Sequence, residues 1–150
     1  MSSSARIADN RKARQYYEFL DFYEAGLVLT GPEVKSLRAG QVSFGDSFVE
    51  FRKGEAWLVS LHITPYAQAG YAPQDPDRDR KLLLHSREIS LLAAKVEQKG
   101  LTVTPTKLYL KQGKIKIEIA LARGRKLHDQ REELKRRAEA RDLEREMVRH

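Results

Sequence analysis

Clusters and alternations of apolar residues predict a mainly β chain. Residues 16–29 are rich in Tyr, Phe, Leu and Val, the composition typical of strands, and predict one long or bent strand. Residues 47–51 and 56–63 flank Lys53 and Gly54, a pair suited to a tight turn between antiparallel strands. We therefore expect a hairpin at this point of the chain.

A second hairpin is predicted near the C-terminal end of the apolar region. Residues 101–111 and 114–122 are separated by Gln112 and Gly113, which suit a turn. The last strand has one buried and one solvent-facing side, because Ile115, Ile117, Ile119 and Leu121 alternate with Lys114, Lys116, Glu118 and Ala120.

Two helices are predicted between these strands. Thr30 and Glu33 have the spacing of a capping box, with a proline in the first turn, and start a short helix over residues 32–39. Residues 86–99 have apolar side chains at helical spacing, with Ser86 as the expected N-cap and a glycine after the last turn.

The order of these elements predicts the fold class. Residues 64–80 contain three prolines and a glycine and predict a long loop. Strand, short helix, hairpin, loop, helix and hairpin follow one another without a parallel βαβ repeat. We expect a mainly β (α+β) fold, an OB-like antiparallel β-barrel, closed or partly closed, with two or three helices. Residues 1–15 would be a basic N-terminal arm, residues 16–122 the barrel, and residues 123–150 a basic tail.

The basic charge lies at the two ends of the chain. The net charge is +7 over 150 residues. Residues 1–16 hold four basic residues and one acidic residue, and residues 123–150 hold ten and seven. A nearly neutral body with basic ends suits binding to a polyanion, because Lys and Arg displace condensed counterions from phosphates. The tail has many helix-forming residues but no continuous apolar stripe, so we expect it to be disordered when free.

Several classes of protein are not indicated. The chain has no cysteine and no apolar run of membrane-spanning length, so we expect a cytoplasmic protein with no membrane partner. Asp75, Asp77 and Asp79 have the spacing of a calcium loop, but Arg80 and Ser86 replace its glycine and glutamate. The four histidines are scattered, and no catalytic motif is present. We expect no enzymatic activity, no metal and no cofactor.

The predicted short helix carries the first candidate contact surface. Val34 and Leu37 are three residues apart and would face the core. Lys35 and Arg38 have the same spacing and would lie together on another face of the helix. This pair is therefore directed toward solvent or a ligand.

Five segments resemble one protein family. They match the small protein B (SsrA-binding protein) family in order, from residue 10 to about residue 137. In this chain they read NRKAR from Asn10, YEAGL from Tyr23, GPEVKSLRAG from Gly31, RKLLL from Arg80, and RGRK from Arg123 leading to His128 and Asp129.

The resemblance implies a function in ribosome rescue. The family has an OB-like barrel that binds the tRNA-like end of transfer-messenger RNA and carries it into stalled bacterial ribosomes. Its tail is disordered when free and becomes a helix in the empty mRNA path, where the protein takes the place of the missing anticodon arm. The resemblance implies no chemical step, and we expect a monomer.

The family's motifs also imply site residues in this sequence. The RNA-binding residues would be Asn10, Arg11, Lys12, Arg14, Glu24, Lys35, Arg38, Lys81, Leu83, Arg123, Arg125 and Lys126. Contacts to the ribosomal decoding site and mRNA path would come from His128, Asp129, Arg131, Lys135, Arg136 and Arg137.

Two of these roles have alternatives. Leu83 suits the RNA surface or the core equally. Glu24 is acidic, so it suits hydrogen bonds from base or ribose groups, or the orientation of a basic neighbour, better than contact with phosphate. The sequence also departs from the family's pattern at Gln15, Pro32 and Gln130, and the two glutamines each weaken one implied contact.

Two other functions compete with this interpretation. A general single-stranded RNA or tRNA-binding barrel would stack bases on aromatic side chains, for which Tyr66, Tyr71 and Phe44 are available. An RNA-processing enzyme would be favoured only if the aspartates at residues 75–79 bound a divalent ion.

Overall fold

The computed structural model of the protein describes residues 4–70 and 73–124. Their secondary-structure elements, in chain order, are β1 (Ser4–Asp9), α1 (Arg11–Tyr16), β2 (Tyr17–Leu27), α2 (Gly31–Arg38), β3 (Val42–Ser43), β4 (Phe48–Arg52), β5 (Glu55–Val59), β6 (His62–Ile63), β7 (Arg80–Leu83), α3 (Ser86–Lys99), β8 (Thr102–Lys111) and β9 (Lys114–Gly124).

Seven strands form one antiparallel sheet in the order β1-β8-β9-β2-β7-β5-β4, and β3 pairs with β6 separately. The sheet curls, since β4 also contacts β8. Within the described part of the chain, hydrogen-bonded pairing nevertheless ends at β1 and β4. The predicted mainly β, antiparallel architecture is confirmed, whereas closure of the barrel is not.

Both predicted hairpins are present, and their turns explain their register. Lys53 and Gly54 have φ angles of 48° and 76°, and Gln112 and Gly113 have 52° and 75°. Two successive positive φ angles match the right-handed twist of the flanking strands, and glycine adopts the second without strain. The turn between β8 and β9 thus places Lys111 opposite Lys114.

The core lies on the concave side of the curled sheet. Leu58, Leu82, Leu108, Ile117 and Ile119 are fully buried there. Leu37 of α2 and Leu92 of α3 are equally buried and pack on the same cluster. Burying each such side chain contributes about 1.5–3 kcal/mol to the free energy of folding, so the two helices are part of the core.

The predicted N-terminal arm is wrong as an element outside the fold. Residues 4–9 form β1, which pairs with β8 from Ser4 opposite Lys111 to Asp9 opposite Lys107. Ile7 packs against the core. The segment is short, charged and interrupted by a bulge after Arg6, so its alternation is weak in the sequence, and the open edge of β8 supplies its hydrogen bonds.

Three smaller expectations also need correction. The predicted loop at residues 64–80 ends one residue earlier, because Arg80 begins strand β7. The predicted strand over residues 56–63 is divided in two, because Ser60, with a φ of 65°, separates β5 from β6. Ser86 is the first residue of α3 and not its cap; the N-cap is His85, whose backbone N–H donates to the Glu88 carboxylate at 3.2 Å.

A buried ion cluster joins α2 to β7. The Glu33 carboxylate accepts hydrogen bonds from Arg80 Nε and Arg78 Nη2, both at 2.6 Å. Arg80 is 0% exposed, and its other nitrogens donate to the carbonyls of Leu61 at 2.6 Å and Pro76 at 3.0 Å. Glu33 also accepts from the Thr30 N–H at 2.8 Å, which completes the predicted capping box.

The Glu33 carboxyl group is held in its charged form. Burial alone would raise its pKa, but hydrogen bonds from Arg78, the Thr30 backbone and Arg80 outweigh burial and lower the pKa below the ordinary value of 4.5. A carboxyl group with a lowered pKa in the folded state stabilises the protein above its unfolded pKa. That stabilisation is lost as the pH falls through the folded value.

We predict that Glu33→Gln destabilises the fold by about 3 kcal/mol, because it leaves a fully buried guanidinium without its counterion. Urea unfolding followed by circular dichroism measures the destabilisation, and the difference from the native protein should shrink below pH 4.5. The control is Glu50→Gln, which removes an exposed ion pair with Arg52 and should leave the midpoint unchanged. Equal effects of the two variants would contradict the role given to the buried cluster.

Candidate nucleic-acid interface

The convex side of β2, β9 and β8 carries a continuous polar surface, here named the outer sheet face. Side chains alternate between the two sides of a strand, and directly opposed residues share a side. The register therefore places on this face Phe22, Glu24 and Gly26 of β2, Lys116 and Glu118 of β9, and Lys107, Tyr109 and Lys111 of β8.

Glu24 is fixed at the centre of the outer sheet face. Its carboxylate accepts a hydrogen bond from the Tyr109 hydroxyl at 2.5 Å and one from Lys111 Nζ at 3.3 Å. The Tyr109 bond is the main cause that lowers the pKa of Glu24; partial burial opposes it, and Lys111 and Lys116 add to it. With 40% of its side chain exposed, Glu24 is an ionised acceptor open to a ligand.

Leu83 lies on this same face and not in the core. It is 54% exposed, whereas its neighbour Leu82 is buried. Leu83 is opposite Gly26 in the pairing of β7 with β2, and a Cβ at residue 26 would be 3.3 Å from the Leu83 Cβ. The absence of a side chain at Gly26 lets Leu83 lie against the strand. The structure thus brings Leu83 and Glu24 onto one surface.

The basic side of α2 continues the surface at the turn between β8 and β9. Lys35 and Arg38 are exposed and Leu37 is buried, as predicted, whereas Val34 is only half-buried. Arg38 Nη2 donates to the Gly113 carbonyl at 3.4 Å. Because Gly113 precedes Lys114, the helix and the turn present their cations together.

The other predicted cations lie in surface ion pairs or in solvent. Arg11 and Arg14 of α1 are exposed. Three other predicted cations form surface ion pairs: Lys12 with Asp46 at 2.7 Å, Lys81 with Glu55 at 3.0 Å, and Arg123 with Glu18 at 3.6 Å. Exposed pairs of this kind contribute little to stability, so their cations are free to exchange a carboxylate for a phosphate.

Asn10 has a structural position, and the prediction that it contacts RNA directly gains no support from the geometry. The residue is only 4% exposed. Its side-chain oxygen accepts from the Ala13 N–H at 3.2 Å, and its amide donates to the Pro105 carbonyl at 2.8 Å. Asn10 therefore caps α1 and attaches it to β8, which positions the three basic residues of that helix.

The remaining predicted site residues lie outside the described residues. These are Arg125, Lys126, His128, Asp129, Arg131, Lys135, Arg136 and Arg137. The last described residue, Gly124, lies opposite Tyr17 at the start of β2, so the described part of the chain ends at the α1 end of the sheet. The 11 residues of β2 separate this end from the α2 end by about 35 Å.

The aromatic residues proposed for base stacking are not those that the structure exposes. Phe44 is buried, Tyr66 is half-buried with its hydroxyl donating to Gln68 at 3.1 Å, and Tyr71 is outside the described residues. Phe22, which no motif in the sequence singles out, is 51% exposed on the outer sheet face. Phe22 is two residues before Glu24 in a predicted strand, and this spacing could have placed both on one face of the sheet. The same spacing of Lys107, Tyr109 and Lys111 in the second hairpin could have placed those three residues together.

The loop aspartates are engaged with separate partners. Asp77 faces His62 Nδ1 at 2.9 Å, and Asp79 pairs with Arg52 at 3.0 Å. Across residues 4–70 and 73–124, no group of three His, Cys, Asp or Glu side chains is arranged to hold a metal ion. None of the helices formed by these residues is long and apolar enough to cross a membrane.

Comparison with known proteins identifies the family. The family model described as SmpB protein matches residues 7–149. The chain belongs to the SmpB protein family. The SsrA-binding protein of Nitratidesulfovibrio vulgaris is 67% identical over 143 residues, which cover 95% of this chain and 93% of that protein. The SsrA-binding protein of Nostoc punctiforme is 56% identical over 142 residues, covering 94% and 92%.

A solved structure from this family has the same fold. It is described as "tmRNA-SmpB: a journey to the center of the bacterial ribosome", and its matching chain is 53% identical to this one. The superposition has a TM-score of 0.67 and covers 80% of this chain and 85% of the other.

We predict that replacing both Lys35 and Arg38 with alanine weakens binding to a structured, tRNA-like RNA. The slope of log K against log salt should fall by about 0.7–0.9 for each phosphate that the variant no longer neutralises. Filter binding at several salt concentrations measures both quantities. The matched control replaces Arg87 and Lys99, which are exposed on α3. An unchanged slope in the folded double variant of α2 would refute this placement of the RNA.

Proposed function

We propose that this protein binds the tRNA-like domain of transfer-messenger RNA (SsrA RNA) and delivers it to stalled ribosomes for trans-translation. The observation that carries the proposal is the outer sheet face, where Glu24 and Leu83 lie together between two basic ends. The names of the relatives, which are SsrA-binding proteins, and the tmRNA-SmpB structure at the centre of the bacterial ribosome support it.

The shape of the surface suits a folded RNA. Its cations lie on two helices and along a strand pair about 35 Å long. A folded RNA can contact them without entering a deep groove of the kind that binds single strands. Helical RNA is bound mainly through its shape and its phosphate and ribose groups. The protein acts in the cytoplasm, where ribosomes work, and it acts by binding and performs no chemical step.

The tail has a separate role in this proposal. Residues 123–150 contain favourable i, i+4 pairs, Glu132 with Arg136 and Glu133 with Arg137. The tail becomes helical in the vacant mRNA path, with His128, Asp129 and Arg131 at the decoding site. It thereby mimics the anticodon arm that transfer-messenger RNA lacks.

Recovery of the bound RNA tests the proposal directly. The tagged full chain is expressed in a bacterium, purified from the lysate, and the associated RNA is sequenced. One dominant RNA with tRNA-like ends is the expected result. A broad mixture of RNAs would favour the general RNA-binding barrel instead.

We predict that deletion of residues 131–150 separates RNA binding from rescue. The deleted segment has seven basic and six acidic residues, so its removal costs little net charge, and the dissociation constant should change by less than about twofold. Tagging of peptides on stalled ribosomes in a reconstituted translation system should be abolished. A parallel decrease of binding and tagging would contradict this division of roles.

A further inference from the structure

The centre of the outer sheet face is acidic, although its surroundings are basic. Glu24 and Glu118 lie directly opposite each other on β2 and β9, an arrangement of like charges that disfavours the sheet. Lys107, Lys111 and Lys116 lie around them. A surface that met phosphates alone would not gain from an ionised carboxylate at its centre, so this carboxylate needs a different partner.

Glu24 is held in a form that can only accept hydrogen bonds. Tyr109 and Lys111 from β8 donate to it, and Lys116 and Glu118 face it from β9, while β7 contributes the apolar Leu83. These donors lower the pKa of Glu24. Glu118 is only half-exposed and accepts from the Thr106 hydroxyl at 2.6 Å, whereas Glu24 is exposed, so Glu24 is the better placed of the two to receive a ligand.

An aromatic ring lies beside this acceptor. Phe22 is two residues before Glu24 on the same side of β2, about 7 Å away along the strand, and half of its side chain is exposed. Its ring makes an edge contact with Phe19, with centroids 5.8 Å apart, which supports the ring from one side. An unstacked RNA base has this combination of needs, a flat surface and a hydrogen-bonding partner for its edge.

We propose that Phe22 and Glu24 bind one unstacked guanine of the RNA, with the base stacked on Phe22 and its N1–H and N2 amino group donating to Glu24, and that Tyr109 is the residue that positions the carboxylate. This inference rests on the proposed function and names what one part of the surface recognises.

The chemistry of the base edges selects guanine. A carboxylate offers two acceptor oxygens side by side, and the Watson–Crick edge of guanine offers two adjacent donors. Adenine and cytosine place a ring acceptor beside their amino group, and uracil places two carbonyls around its single donor. Each of these bases would direct a lone pair at the negative charge of Glu24, which is unfavourable.

Inosine substitution tests the identity of the base. Inosine lacks the N2 amino group, so a tRNA-like domain is synthesised with each unpaired guanine replaced in turn by inosine and is titrated with the full chain. One position should weaken binding about tenfold, in line with the removal of a hydrogen bond to a charged group. The same RNA should show no additional weakening with Glu24→Ala, because that variant has no carboxylate to accept from the N2 amino group.

Tyr109→Phe tests the positioning role. Without the hydroxyl, the pKa of Glu24 rises toward its ordinary value of 4.5, so Glu24 is protonated at a higher pH than in the native protein. When the pH falls from 7 to 4.5, the dissociation constant of this variant should increase about twofold more than that of the native protein. The matched control is Tyr23→Phe, which removes a hydroxyl bound to Asp21 at 3.0 Å on the opposite side of β2.

The outcomes separate this inference from the proposed function. If the native protein binds the tRNA-like RNA and no inosine substitution matters, the inference is wrong and the proposed function stands. Sensitivity to a 2′-deoxy nucleotide that disappears in Glu24→Gln, without sensitivity to inosine, would assign Glu24 to a ribose and also overturn it. Identical pH profiles for Tyr109→Phe and Tyr23→Phe would remove the role of Tyr109. If the native protein does not bind the RNA, the proposed function itself fails.

Discussion

The buried Glu33 carboxylate, with its two arginines, is the constraint on which the placement of the surface residues depends. Arg80 cannot be fully buried without a counterion and acceptors, since an uncompensated charge in the core costs several kcal/mol. Glu33 and the carbonyls of Leu61 and Pro76 supply them. Lys35 and Arg38 follow Glu33 on α2, and Lys81 and Leu83 follow Arg80 on β7. One ion cluster therefore fixes the position of two separate parts of the proposed RNA surface.

Stability and binding are assigned to alternate residues of the same strands. In β7, Leu82 is buried while Leu83 is exposed, and in β9, Ile117 is buried between Lys116 and Glu118. A shift of one residue in register would exchange the two sets. The bulges of β1, β2 and β8 lie after Arg6, Phe19 and Pro105. In β2 the pairing is regular from Asp21 to Gly26, which keeps Phe22, Glu24 and Gly26 on one face.

Local features of the structure were predictable and distant ones were not. The capping box at Thr30, the turns at Lys53 and Gln112, and the exposed pair on α2 depend on residues within a few positions of each other, and the structure has all of them. Strand β7 was not predicted, because the burial of Arg80 depends on Glu33, 47 residues earlier. The contact of Tyr109 with Glu24 spans 85 residues, and no periodicity in the sequence connects them. The sequence could not decide between the core and the RNA surface for Leu83, because the exposure of its side chain depends on Gly26, its partner on the adjacent strand β2.

Strand β9 sets the distance between the proposed RNA site and the tail. Its first residues lie beside Arg38 at the turn with β8, its middle carries Lys116 and Glu118, and Gly124 ends it opposite Tyr17. A β-strand paired on both sides is stiff, whereas a flexible linker would let its ends move over a broad range of distances. An RNA bound on the outer sheet face is thus held at a fixed distance from the point where the tail begins. In the proposed function, where the tail takes the place of an anticodon arm, that fixed distance is what a rigid tRNA body would otherwise provide.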